Sequence, residues 1–254
     1  MGKVSKLFDS RSKKYNHIYN ALYPKKLLHQ EKRVRAKLVE NMVFDYLPSI
    51  KEAKLIDVGC GMGNVLLKLR ENGVNAKMYG LDISQDMISL ANKKLELSEY
   101  QDINFTKGSI DEISIKADLV LSLGVIGYQK KQEEFLTKLM SVVNKEGHLI
   151  FTTANGDSIL RLTRRYLSKL HSIVKRKTKS EGVEFLSIKD KQVESTLTKH
   201  EFKLVKKVYL TFGLGLFASS IECYIDKVLF KWLSNIFIGK YFSLSVIYVY
   251  KKVS

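Results

Sequence analysis

The sequence is poor in residues that punctuate or staple a chain. It holds two prolines, Pro24 and Pro48, and two cysteines, Cys60 and Cys223, in 254 residues. That leaves no proline-rich linker, and it excludes a disulfide scaffold or a cysteine-rich zinc site. Long apolar runs are scarce too. The longest late uncharged run, Val208 to Ile221, has 14 residues, short of the roughly 18 needed to span a bilayer. The opening residues carry no apolar core and do not read as a secretory leader. The expectation is a chain in the reducing cytoplasm, or peripheral at the membrane, with both thiols free. Acid is the scarce charge: 26 Asp+Glu stand against 43 Lys+Arg, a formal net charge of +17. Such an excess points to an anionic partner: nucleic acid, anionic lipid or an acidic small molecule.

What is present is a folded chain. At 45% hydrophobic and 27% charged residues, the composition is neither disordered nor fibrous. The first fifty residues read as helical, with apolar residues from Leu27 to Tyr46 at helical spacing until Pro48 stops the pattern. Short apolar runs then alternate with helical stretches. Strands are expected at Lys54 to Val58, Met78 to Leu81, Ile103 to Thr106, Ala117 to Leu123 and His148 to Thr153. Between them, helices are expected at Val65 to Glu71, Met87 to Leu97 with Ser84 as N-cap, and Glu133 to Val143. Later come helices at Ile159 to Lys179 and Lys189 to Lys199, and strands at Phe202 to Leu210 and Leu244 to Lys252. This alternation is the signature of an α/β fold, a mostly parallel sheet with helices on both faces. The chain divides into an N-terminal helical cap over 1–50 and a main domain over 51–254. An apolar helical insertion at 211–242 precedes the last strand.

The densest information lies in Leu55-Ile56-Asp57-Val58-Gly59-Cys60-Gly61-Met62-Gly63-Asn64. A strand runs into glycines, and the glycines run into a helix. Glycine lets backbone approach a ligand, and the helix start presents N–H groups to polar or anionic atoms. A dinucleotide fingerprint needs its third glycine at position 64, which is Asn, and a phosphate loop needs Gly-Lys-Ser/Thr; neither is present. Asp82 ends the second strand, 19 residues after Gly63, where an acid can accept both hydroxyls of a ribose.

These residues resemble the Asp-x-Gly-x-Gly-x-Gly pattern of class I S-adenosyl-L-methionine (SAM) methyltransferases, here Asp57, Gly59, Gly61 and Gly63. Within that superfamily the chain is most similar to small-molecule methyltransferases of the quinone-biosynthesis-like group. Phe8-Asp9 with Lys14-Tyr15-Asn16, and Leu197 to Val205, resemble segments of that group. The resemblance implies a Rossmann-like seven-stranded sheet and SAM as cofactor. It places Gly59, Cys60, Gly61 and Gly63 around the methionine moiety, with Asp57 near its amino group. It places Asp82 on the ribose and Ile83 on the adenine. Ser109, Ile110 or Asp111 stands where the family often contacts the adenine amino group. Leu123 and Gly124 fall beside the methyl group.

Methyl transfer is an in-line displacement that depends chiefly on positioning and water exclusion. The related group often carries Glu-His after the fourth strand, whereas this chain has Gly127-Tyr128. Tyr128 and His17 are therefore the candidates for substrate contact or base. Cys60 and Cys223 read as small apolar fillers. The segment Ile159 to Lys179 contains eight Lys/Arg and no acid. The insertion places Ile221, Ile225, Val228, Leu229, Trp232 and Ile236 at helical spacing, which suits either a lid over an apolar pocket or an interfacial membrane element. The leading reading is methylation of a small molecule, at an oxygen of an apolar, lipid-linked or glycan-type acceptor. RNA methylation and a non-catalytic SAM-fold subunit or membrane-surface adaptor are the alternatives. Nucleic acid ranks lower because the basic and aromatic residues lie in separate segments.

Overall fold

The computed structural model describes residues 2–20, 27–48, 52–163, 166, 183–212, 224, 228–236 and 238–253, with side chains in the first two helices given for 2–12 and from 34 onward. Seven strands form one sheet in the order β3-β2-β1-β4-β5-β7-β6. They are β1 (Lys54–Val58), β2 (Lys77–Asp82), β3 (Ile103–Lys107), β4 (Ala117–Ser122), β5 (Val143–Ala154), β6 (Phe202–Leu210) and β7 (Ser245–Lys252). The pairings from β3 across to β5 are parallel, and β7 runs antiparallel to both β5 and β6.

The central strands read as unbroken apolar runs because a parallel sheet is covered on both faces. Successive side chains alternate between those faces. Ile56, Val58 and Val120 enter the core layer that holds Leu136, Leu139 and Tyr248. Leu55, Leu119 and Leu121 enter the opposite layer with Leu66, Met78 and Ile88. The covering helices are α3 (Asn64–Glu71), α4 (Gln85–Glu96), α5 (Gln132–Ser141) and α6 (Asp190–Thr198). Two longer helices, α1 (Gly2–Asn20) and α2 (Leu27–Tyr46), precede β1. Val39, Met42 and Val43 of α2 are buried against the second layer.

The expected N-cap is in place, with Ser84 Oγ accepting the Met87 N–H at 3.2 Å. Most boundaries fall within two residues of those expected, and the largest difference is at the junction of α5 and β5. A helix was expected to run to Val143 and a strand to begin at His148, but α5 ends at Ser141 and β5 begins at Val143. The polar stretch Asn144 to Gly147 looks like a turn and is an irregularity inside the strand: the pairing steps from Ala117–Val143 to Leu119–His148. His148 therefore lies within β5, its ring 5.1 Å from that of Tyr46.

The antiparallel edge is pinned by one buried acid. Asp190 opens α6 and accepts hydrogen bonds from the hydroxyls of Tyr248 and, at 3.0 Å, Tyr209. Lys207 Nζ lies 3.1 Å from the same carboxylate.

The insertion is only partly described. Residues 228–233 are helical. Leu229, Phe230 and Leu233 pack on the core, whereas Val228, Trp232 and Ile236 face outward. The stripe expected from spacing is thus split across two faces, because Leu229 and Leu233 are one turn apart and so are Val228 and Trp232. Ile221, Cys223 and Ile225, His171 and most of the basic segment lie outside the described residues. Among the described residues, no helix is long and apolar enough to cross a membrane.

Candidate functional site

Strand order reverses around β1, whose neighbours are β2 on one side and β4 on the other. The connections leaving β1 and β4 depart toward opposite faces, which opens a crevice at the carboxyl ends of the strands. The glycine segment turns through that crevice. Gly59 and Cys60 both donate their N–H groups to Leu81 O, at 2.7 and 3.0 Å. Gly61 N–H donates to Asp82 Oδ2 at 2.9 Å, and Ser84 N–H donates to Asp82 Oδ1 at 2.9 Å. Gly63 caps α3 and lies against Phe105.

Gly59 is required by contact and conformation, and Gly61 by conformation alone. Gly59 has φ +80°, and a Cβ there would stand 2.2 Å from Val125 Cγ2. Gly61 has φ +55°, and the space its missing side chain would occupy is open. The loop therefore presents bare backbone to the crevice.

Two carboxylates stand behind the loop. Asp57 is 2% exposed, and its Oδ1 has no hydrogen-bond partner. Burial, and then the neighbouring Asp82, push its carboxyl up to about 7, with the Arg35 guanidinium opposing the shift. Burial also raises Asp82, against the lowering effect of the Ser84 and Gly61 N–H groups. Cys60 is a buried free thiol. Burial and then Asp57 hold it well above the usual thiol range, so it is inert packing.

The remaining expected residues gather along one cavity of about 1350 Å³, which Ile83, Ser109, Ile110, Asp111, Leu123, Gly124 and Tyr128 all line. Single-ligand pockets are commonly about 300–1,000 Å³, so this one has room for a cofactor and an acceptor together. Ile83 O accepts Ser5 Oγ at 3.1 Å. Ser109 N–H donates to Glu112 Oε1 at 2.9 Å, and Asp111 pairs with Lys138 at 2.6 Å. Gly124, φ +77°, donates its N–H to Thr152 Oγ1 at 2.7 Å.

Helix α1 roofs this space. Asp9 Oδ1 accepts Ser84 Oγ at 2.5 Å, which fastens α1 to the start of α4. Phe8 meets Tyr128 edge-on with ring centroids 5.1 Å apart, and Phe185 meets Tyr128 edge-on at 4.8 Å. Burial raises the Tyr128 phenol, while Arg11 and Arg35 pull it back. His17 belongs to α1, but its side chain is outside the described residues. Sequence reasoning missed Phe8 as a ring contact, and it missed Arg11, Arg35 and Phe185 altogether. Phe8 and Arg11 lie in a helix with only a weak motif. Phe185 sits in a short extended segment held by the bond from Leu186 N–H to Gly127 O, 2.7 Å.

A seven-stranded sheet with a reversed β7, a glycine turn after β1 and an acid closing β2 defines a Rossmann-like methyltransferase fold. Residues 50–206 match the family model described as "Methyltransferase domain", and the chain belongs to that family. It is 26% identical over 186 residues to a release factor glutamine methyltransferase of Flavobacterium psychrophilum, covering 68% of this chain and 61% of that protein. It is 25% identical over 131 residues to a ubiquinone biosynthesis O-methyltransferase of Rickettsia bellii, covering 51% and 53%. The chain thus spans about half to three-fifths of the length of these curated relatives. Among solved structures it is similar to magnesium protoporphyrin IX methyltransferase from Synechocystis PCC 6803 with bound S-adenosylhomocysteine (SAH), with TM-score 0.69, 18% identity and 98% of each chain covered.

The cofactor implied by this fold is SAM, and the residues present fit it. The orphaned Asp57 Oδ1 asks for a donor, and the open space over Gly61 admits a ligand against bare backbone.

Proposed function

We propose that this chain transfers the methyl group of SAM to an oxygen of a small, largely apolar acceptor. The observation that carries the reading is the unpartnered Oδ1 of Asp57 behind an open glycine turn, whose residues Gly59, Cys60 and Gly61 line a cavity of about 1350 Å³. Asp57 would take the ammonium of the methionine moiety, beside the turn of Gly59, Cys60, Gly61 and Gly63. Asp82 would take the ribose hydroxyls, with Ile83 against the adenine. Ser109 and Ile110 would border the base, since Asp111 is engaged by Lys138.

When bound, SAM supplies an electrophilic methyl carbon whose bond to sulfur breaks as the acceptor oxygen attacks, leaving a neutral thioether. The chain's own part is positioning and exclusion of water. Phe8, Tyr128 and Phe185 form an aromatic wall at the acceptor end, suited to a flat or apolar body. Leu123 and Gly124 would border the methyl group. The acceptor's proton leaves to solvent or to a base, for which His17 is the candidate; Tyr128, its phenol kept neutral by burial, would serve as a substrate contact. The test is transfer of radiolabelled methyl from SAM in a cell lysate. Label in a solvent-extractable small-molecule fraction is expected; label confined to protein or RNA would overturn the acceptor class.

A second observation favours action at an anionic membrane surface. Trp232 is 71% exposed and Leu162 62% exposed. Leu162 adjoins Arg161, which lines the cavity and whose Nη2 donates to Leu244 O at 2.5 Å. Exposed aromatic and aliphatic side chains beside a basic run are suited to a headgroup layer. Co-sedimentation with phosphatidylglycerol vesicles but not phosphatidylcholine vesicles is expected. Equal absence from both pellets would remove this reading and leave the lid.

A further inference from the structure

The cavity continues past β4 to the ends of β5 and β6, on the side away from the glycine turn. Thr153, near the end of β5, and Thr211, just after β6, both line it there. They are 4% and 6% exposed, and neither Oγ1 has a hydrogen-bond partner. A buried hydroxyl without a partner is costly. Thr211 is also strained. Its φ is +62°, a left-handed conformation that β-branched residues rarely adopt. Strain of this kind persists only where the surroundings enforce it, and it gathers at ligand sites.

The backbone brings a cation to the same place. Thr211 O accepts the Leu244 N–H at 2.8 Å, and Leu244 O accepts Arg161 Nη2 at 2.5 Å. Leu244 thus joins the strained threonine to the guanidinium. Asn155 N–H donates to the same Leu244 carbonyl at 3.0 Å, which ties in the end of β5 two residues beyond Thr153. Arg161 also lines the cavity. Its own N–H donates at 3.1 Å to the hydroxyl of Ser158, which is buried, so the arginine is set at its base as well as at its tip.

We infer that Thr153, Thr211 and Arg161 form a subsite for an oxyanion, a carboxylate or phosphate carried on the apolar acceptor; the inference rests on the methyl-transfer reading. Each hydroxyl has a proton to donate, and a guanidinium fork matches the oxygens of such a group. The wider wall agrees in sign. Among the described residues, basic side chains outnumber acidic ones along the cavity, and two of the acids, Asp111 and Glu134, are each paired with a lysine. An acidic small molecule is one of the partners to which the net charge of +17 points.

The test is equilibrium dialysis, with SAH present, against three probes that share one tail: decanoate, decyl phosphate and 1-decanol, each below its micelle concentration. The wild-type chain is expected to bind the better anion about 10- to 100-fold more tightly than the alcohol, the range for hydrogen bonds to a charged group. Which anion binds better tells carboxylate from phosphate. Arg161→Gln is expected to remove most of that ratio with affinity for 1-decanol unchanged. Lys203→Gln, which removes an exposed charge from β6, is expected to leave the ratio as in wild type. Thr153→Val and Thr211→Val are each expected to weaken anion binding about threefold to tenfold. Neither is expected to lower the melting temperature, because the hydroxyl removed has no partner. Equal affinity of wild type for anion and alcohol, or binding of no probe, overturns the subsite. So does an undiminished ratio in Arg161→Gln, or an equal loss in Lys203→Gln. If Arg161→Gln does not fold, the double variant Thr153→Val/Thr211→Val decides: an unchanged ratio overturns the proposal and a lowered one supports it. Failure of SAH to bind wild type, read separately by calorimetry, is a different outcome and strikes the SAM reading itself.

Discussion

The N–H of Gly61 donates to Asp82 Oδ2 at 2.9 Å, joining the turn after β1 to the end of β2. The other oxygen of the same carboxylate holds Ser84 N–H at 2.9 Å. One side chain thus shapes the glycine turn and the start of α4 together, and its remaining lone pairs face the cavity.

Replacing that side chain separates the two roles. Asp82→Ala removes both acceptors and leaves two N–H groups to find other partners, at about 1–3 kcal/mol for each one left buried. SAH affinity is expected to fall at least tenfold by calorimetry. Asp82→Asn keeps one acceptor oxygen and is expected to keep more of the fold's stability than of the affinity.

Asp57 predicts a pH dependence of definite sign. Its folded-state carboxyl is raised to about 7, so below that pH it is neutral and cannot pair with an ammonium. SAH binding is expected to weaken as pH falls from 8 to 6, approaching tenfold per unit below 7. Stability runs the other way. A raised acid pKa means that the folded state binds the proton more tightly than the unfolded chain. Stability is therefore lost as pH rises between about 4 and 7. Asp57→Asn is expected to raise the melting temperature at pH 8, by on the order of a few kcal/mol of stability, and to lose SAH binding. A variant that binds SAH normally would contradict the assignment.

The contrast between these two acids bears on what could be read from the sequence. Asp57, the three glycines and Asp82 were legible because they sit at strand ends, where chain direction and spacing are fixed by the sheet. Two strands were legible with the bounds expected of them, the buried β1 and the edge strand β6. The start of β5 was not, because Asn144, Lys145 and Glu146 are polar and at least partly exposed within a pairing irregularity. Arg35 and Phe185 were not, because each reaches the cavity from a segment whose local pattern carries no chemical signature. Only tertiary packing brings them to Gly124 and Tyr128.

The roof gives a third prediction. Asp9 accepts Ser84 Oγ, and Phe8 leans on Tyr128. Asp9→Ala is expected to loosen α1 from α4 and raise hydrogen–deuterium exchange over residues 2–12 by about tenfold, with β1 and β4 unchanged. A bond to a charged group of about 1.5–3 kcal/mol supports that size. Unchanged exchange would show that the helix is held by other contacts.

A fourth concerns the fold alone. Asp190 is 4% exposed and satisfies Tyr209, Tyr248 and Lys207. Asp190→Ala leaves those donors without their anion and is expected to cost about 3 kcal/mol or more in denaturant unfolding. SAH affinity of the folded fraction should hold, because the network lies at the β6–β7 edge. A large affinity loss in folded protein would tie that edge to the cofactor.

The most direct measurement is titration of the wild-type chain with SAH at pH 8, where Asp57 is charged. One-to-one binding in the micromolar range, abolished by Asp57→Asn, is the expected result. No heat of binding at millimolar SAH, with the protein folded, would contradict the assignment of the glycine turn to SAM.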